Sequence, residues 1–236
     1  MDYIYTALYH QTQTGTPLIN PMFFLYPNDA NTFPIQYQYF YGNSILVSPV
    51  TEENSTSVNA YLPNDIFYDF FTYLPVRGHG AYMTLSNIAY TSIPLHIRGG
   101  SILPLRANSA NTTTELRKQA FHIIIAPGLN GAAQGSLYLD EGVSIAQPAI
   151  SDIMFNYGRN GQFSMTGSFN YPAGVEITSI TVLGVQNRGY GWFNGWYNNW
   201  NHRWGQRMPA TYNATSQSTT YTTSIPLTGP YYGHLT

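Results

Sequence analysis

Apolar and polar positions change rhythm twice along this chain. Near its start, Tyr3, Ala7 and His10 recur at helical spacing beside Ile4 and Leu8, and Gly15-Thr16-Pro17 follows as a stop. One short helix is expected over residues 2–14, and with Met1 and Asp2 as its only lead-in it is expected to begin inside a larger architecture. LINPMFFLY, residues 18–26, is a continuous apolar run of strand length. Such runs suit strands buried on both faces of a parallel sheet, so an α/β parent is expected there.

From Gly42 the pattern becomes short alternating or apolar runs parted by turn residues: SILVSPV, SVNAYLP, IFYDFFTYLP and GAYMTL. Turn signals spaced by about 8 to 12 residues are the mark of antiparallel sandwiches or barrels. IPLHIRGGSILPLR, residues 93–106, places Ile93, Leu95 and Ile97 opposite Pro94, His96 and Arg98, the two-residue period of a half-buried strand. Gly99 and Gly100 then supply the freedom that a sharp turn or bulge needs before a second strand begins at Ile102.

NSANTTT, residues 108–114, has the small polar texture of a link between domains. Beyond it, FHIIIAP, GSLYLDEG, DIMFNYG, GQFSMTGSF and VEITSITVLGV read as strands, with turns at Pro127-Gly128, Asn130-Gly131 and Asn160-Gly161. In GWFNGWYNNWNHRWG, Trp192, Trp196, Trp200 and Trp204 recur every fourth residue among helix-weakening Asn and Gly. An extended chain would carry all four indoles on one face. They then form either a platform for pyranose rings or part of a sandwich core or rim, and the burial habit of Trp favours the latter.

Composition narrows the function classes. Charged residues make up 8% of the 236 and hydrophobic ones 43%, too apolar a balance for disorder. A net charge of -2, with a single lysine and scattered arginines, offers phosphates no basic patch and anionic membranes no anchor. Neither nucleic acid nor membrane is therefore an expected partner. No apolar run reaches the length of a membrane span, and absent cysteine removes disulfides and thiolate metal sites.

Candidate chemistry is sparse. The six histidines form no HxxxH or HxH arrangement, and the nucleophile elbow, P-loop and dinucleotide fingerprint are all missing, so no metal or cofactor is expected. Asp140 and Glu141 are adjacent on a strand, which sends their side chains to opposite faces. They therefore suit a solvated turn better than paired catalysis across a glycosidic bond. Glu52-Glu53 reads as an exposed loop. His96 and Arg98 share a face and could bridge to a carboxylate such as Asp69, with plain hydrogen bonding at a surface or domain interface the simpler role.

The order of YGNSILVSPV, a Tyr-Leu-Pro strand, IFYDFFT, IPLHIRGGSILPLR, TTTELRKQAFHIIIAPGLNGAAQGSLYLDEGVS and ITSITVLGV resembles the C-terminal part of glycoside hydrolase family 31 α-glucosidases, most of all the secreted fungal ones. The resemblance runs from about Asp2 to Val185. It implies a mainly β fold: residues 1–41 as the last strand and helices of a (β/α)8 barrel, 42–110 as a proximal antiparallel β-sandwich, and 111–236 as a distal one with an atypical Trp-rich tail. It also implies the removal of terminal α-glucose from maltose-like oligosaccharides by a retaining mechanism, with the N-terminal catalytic portion as partner.

The family's catalytic aspartates sit in Trp-x-Asp-Met-Asn-Glu and Gly-Asp-Asn motifs, which this sequence lacks. Asp2, Asp29, Asp65, Asp69, Asp140 and Asp152 stand in other contexts, so no catalytic residue is assigned and the chain alone is expected to be inactive. A noncatalytic carbohydrate-binding or structural β-module is the alternative. Secretion is implied by the resemblance, and the sequons at Asn54, Asn111 and Asn213 suit it.

Overall fold

The computed structural model describes residues 1–185 and 208–235. Helix α1 (Asp2–Thr14) forms where expected and stops at Gly15, whose left-handed backbone lets its N–H reach the Gln11 carbonyl at 2.8 Å. Two single-turn helices follow later, α2 (Met22–Leu25) and α3 (Thr113–Leu116). The N-terminal strands are β1 (Ile19–Pro21), β2 (Tyr39–Tyr41), β3 (Ile45–Val47), β4 (Val58–Leu62), β5 (Ile66–Asp69), β6 (Pro75–Arg77), β7 (Ala81–Leu85) and β8 (Leu95–Arg98). They are followed by β9 (Ser101–Arg106), β10 (Phe121–Ala126), β11 (Ala133–Leu139), β12 (Ser151–Tyr157), β13 (Gln162–Phe169), β14 (Glu176–Val182), β15 (Ala210–Asn213), β16 (Ser218–Pro226) and β17 (Tyr231–His234).

These strands build two main sheets. The first has six strands in the order β1-β2-β3-β8-β5-β6, every neighbour antiparallel, with β4 and β7 as a separate ribbon. The second has nine, in the order β15-β16-β14-β10-β9-β11-β12-β13-β17. Among the described residues, only β10 with β14 and β9 with β11 run parallel in it. Its two halves share one apolar core, in which Phe121 and Ile123 of β10 belong with Phe155 of β12, Phe163 of β13 and Ile225 of β16. Tyr157 of β12 packs against the core that holds Tyr221 of β16 although four strands lie between theirs, so the sheet rolls upon itself.

The glycine pair after Arg98 carries the chain between the sheets. The Gly99 N–H donates to the Ile66 carbonyl of β5 in the first sheet, and the Gly100 N–H donates to Ala126 of β10 in the second, both at 2.8 Å. Gly100 has φ 87°, and a Cβ on Gly99 would lie 2.4 Å from Ile66 Cγ2. One glycine is required for its backbone and the other for its lack of volume. Tyr68, Ile97, Leu103, Ile124 and Leu183 then pack the two sheets together.

Three expectations change. The continuous parallel strand over residues 18–26 is replaced by a three-residue edge strand, antiparallel to β2, and by α2. Pro21 ends the ladder because it has no N–H to donate, and it precedes the helical turn. Residues 108–114 join β9 to its antiparallel neighbour β10, so they connect strands within one sheet. The passage between the two sheets lies at Gly99-Gly100. The tail beyond 207, to which no strands were assigned, supplies β15 and β16 beside β14 and β17 beside β13.

Candidate functional site

Helix α1 covers the seam of the nine-stranded sheet. β9 and β11 are joined there by a single residue pair, Ser101 with Gln134, which leaves the upper part of β11 without a neighbour on that side. The buried Thr6 hydroxyl accepts the Tyr138 N–H of β11 at 2.9 Å, and the Tyr9 ring stacks on the Tyr138 ring at 3.7 Å. At the helix start, Asp2 forms an ion pair with Arg106 of β9, whose guanidinium also donates to the Arg117 and Gln119 carbonyls and lies over Phe121.

Asp140 lies at the centre of this region, 2% exposed, so the solvated turn expected for Asp140-Glu141 does not form at the first of them. Its carboxylate accepts from the Tyr5 hydroxyl at 2.7 Å and from Arg117 at 3.4 Å, while its carbonyl accepts from Arg117 at 2.7 Å. Burial is affordable because every strong acceptor has a donor. Glu141 instead accepts the Ser144 N–H. The two acids therefore serve separate local bonds. Burial, together with the neighbouring Asp140 carboxylate, raises the pKa values of Tyr5 and Tyr138.

The same tyrosine-to-aspartate contact recurs elsewhere. Tyr26 donates to Asp65 at 2.9 Å and Tyr61 to Asp29 at 2.7 Å, each tying the 22–33 segment to the β4–β5 region. In an acid-poor chain, three of the aspartates that might have served catalysis are thus committed to tyrosine hydroxyls.

His96 and Arg98 do not bridge to Asp69. The Asp69 Oδ1 atom caps its own turn, accepting from the Phe71 and Thr72 N–H groups and the Thr72 hydroxyl. His96 lies opposite it in register, 2% exposed, with no hydrogen-bond partner at Nδ1 among the described residues. Burial lowers its pKa, a shift that the Asp69 charge partly opposes. Glu52 and Glu53 are exposed as expected, and so are Asn54, Asn111 and Asn213. Trp192, Trp196, Trp200 and Trp204 lie outside the described residues.

Of the apolar surface expected to await a partner at Phe23, Phe24 and Phe40, Phe40 is buried in the core, while Phe33 and the cleft beside α1 were not read from the sequence. Phe23, Phe24 and Phe33 form an edge-to-face aromatic cluster, with Phe24 54% and Phe33 56% exposed. Beside α1, a cleft of about 740 Å³ opens between Tyr5, Leu8, Tyr9, Thr12 and Gln13 of the helix and residues 145–150. Both are assembled from positions that no spacing rule connects. Among the described residues no group of three or more His, Asp or Glu side chains is arranged to hold a metal ion, and no helix is long and apolar enough to cross a membrane.

This arrangement fastens α1 across the seam of one sheet, and its acids Asp2 and Asp140 are engaged by arginine and tyrosine. Residues 15–103 match the glycosyl hydrolase family 31 C-terminal domain. The chain carries the C-terminal region of family 31. It is 58% identical over 184 residues to a probable alpha/beta-glucosidase of Neosartorya fischeri, covering 78% of this chain. It is 39% identical over 173 residues, 72% of this chain, to an alpha-glucosidase of Hordeum vulgare. It spans 21% and 18% of those two proteins, about a fifth of the length of the curated relatives it matches.

Among solved structures, the glucosidase II alpha subunit superposes with a TM-score of 0.81 at 23% identity, over 98% of this chain and 27% of that one. A family 31 dextranase of Flavobacterium johnsoniae superposes at 0.70 and 18% identity, over 98% and 30%. These likenesses show that the β-rich fold is shared over the described residues.

Proposed function

We propose that this chain is the noncatalytic C-terminal part of a secreted, retaining α-glucosidase that releases terminal α-glucose from maltose-like oligosaccharides. The observation that carries this reading is the 58% identity to a probable alpha/beta-glucosidase over most of this chain and only 21% of that protein, in a sequence lacking both carboxylate motifs. The catalytic partner is the N-terminal portion of the same enzyme, where two carboxylates would perform the double displacement through a covalent glucosyl intermediate. The exposed rings of Phe23, Phe24 and Phe33 would meet the barrel of that portion, while α1, β1 and β2 pack with the two sheets. The six-stranded sheet serves as the proximal sandwich and the rolled sheet as the distal one.

The exposed Phe23, Phe24 and Phe33 cluster supports this division of labour, since an apolar patch of large rings calls for a covering surface. Exposure of Asn54, Asn111 and Asn213 is compatible with N-glycans on a secreted protein. The test is turnover of an aryl α-glucoside by the purified chain, repeated after co-expression with the upstream portion. Activity only in the second case is expected, and robust turnover by the chain alone would falsify the proposal.

A further inference from the structure

The geometry points to the cleft beside α1 as a binding site for a neutral α-glucan oligosaccharide. Its volume, about 740 Å³, lies within the range of small-molecule sites. The lining joins aromatic and aliphatic surface from Tyr9, Tyr138, Leu8 and Ile150 to uncharged polar groups from Thr12, Gln13, Gln147 and Asn170. Sugars present this same mixture, with apolar ring faces edged by hydroxyl groups.

Three details select a neutral sugar. Among the described residues Asp140 is the lining's one acid, with its carboxylate already engaged by Tyr5 and Arg117, and no lysine or arginine lines the cleft. The Tyr9 ring lies nearly parallel to Tyr138 at 13°, so its inner face is taken and only its outer face is left for a pyranose ring. Gln147 directs its amide N–H to the Ser144 carbonyl, while its Oε1 atom is buried without a hydrogen-bond partner. The bond to Ser144 holds Gln147 in the cleft wall, so its loss would reshape the polar edge that a sugar meets.

The choice of α-linked glucose rests on the glucosidase reading above; the cleft itself does not. Calorimetric titration of the full 236-residue chain with maltotriose should give saturable binding in the millimolar range, with cellotriose much weaker. Tyr9→Ala should weaken maltotriose binding about tenfold, and Tyr9→Phe should restore it, since the ring is what contacts sugar. Gln147→Ala should weaken it as well, and Trp196→Ala should leave it unchanged.

Absence of saturable binding, indifference to both Tyr9→Ala and Gln147→Ala, or equal binding of cellotriose would overturn the inference. So would loss of binding in Trp196→Ala, which would place the sugar on the Trp-rich stretch. Unaltered melting temperatures in the variants would exclude misfolding as the cause. Failure of the glucosidase reading appears instead as aryl α-glucoside turnover by the isolated chain, a measurement in which the cleft plays no part.

Discussion

The Arg106 guanidinium holds the Asp2 carboxylate at 2.6 Å across 104 residues of chain. Both side chains are largely buried, at 6% and 13% exposed. The contact fastens the first turn of α1 to β9, at the edge of the seam that this helix covers.

Arg106→Leu should therefore be strongly destabilising. It leaves Asp2 buried without its cation and removes donors from two backbone carbonyls, so a loss of about 3 kcal/mol is expected. Urea denaturation, read as a shift in midpoint at constant slope, measures it. Lys118, ion-paired with Glu115 on the exposed face of α3, is the control; Lys118→Ala should change stability by less than about 0.5 kcal/mol.

The two glycines between the sheets should respond differently to alanine. At Gly100 a Cβ meets open space, so the cost is that of a left-handed backbone, about 1 kcal/mol. At Gly99 the Cβ would strike both Ile66 Cγ2 and the Ile66 carbonyl oxygen, at 2.4 and 2.7 Å. Relief there requires β5 to move, and a loss of about 3 kcal/mol or more is expected. Equal effects of the two substitutions in denaturant melts would contradict the proposed roles.

Stability should decline on the acid side of neutrality. His96 and His122 both have pKa values lowered from 6.5 by burial. The unfolded chain therefore binds more protons than the folded one below about pH 6.5, and stability falls as pH drops through that value towards the folded pKa values. Above pH 7 this contribution is constant. Each histidine can add a slope of at most about 1.4 kcal/mol per pH unit. His96→Gln with His122→Gln should flatten the acid limb in denaturation series run from pH 7.5 to 5.5.

The aromatic cluster offers a separation of folding from assembly. Phe24→Ser removes a half-exposed ring that the chain's own core does not enclose, so stability should change by less than about 0.5 kcal/mol. Solubility of the isolated chain should rise, and recovery of α-glucosidase activity with the upstream portion should fall. A large drop in melting temperature would show that the ring belongs to this chain's own packing.

Much of the fold is legible from local pattern. Helix α1 and its stop at Gly15 follow from 3.6-residue spacing and from a residue suited to the left-handed cap. Strands β10 to β14 follow from short apolar or alternating runs between Asn-Gly and Pro-Gly turns. The glycine pair after Arg98 marks a change of direction. The candidate chemistry is less legible: Asp140 looks like a turn acid because its neighbours in sequence are Glu141 and Gly142, while its partners Tyr5 and Arg117 lie 135 and 23 residues away.

By itself, then, the sequence determined the β-rich character of this protein, the first helix, most strand positions and the absence of the family's catalytic carboxylate motifs, since each is written in residues a few positions apart. Tertiary structure alone decided that the glycine pair joins two sheets, that the Ser/Thr/Tyr-rich tail closes the second sheet, and that the Asp2, Asp140, Tyr5, Arg106 and Arg117 network gathers beneath α1. Strand pairing and buried polar contacts are set by which surfaces meet, and no local periodicity encodes the distance between residues far apart in the chain.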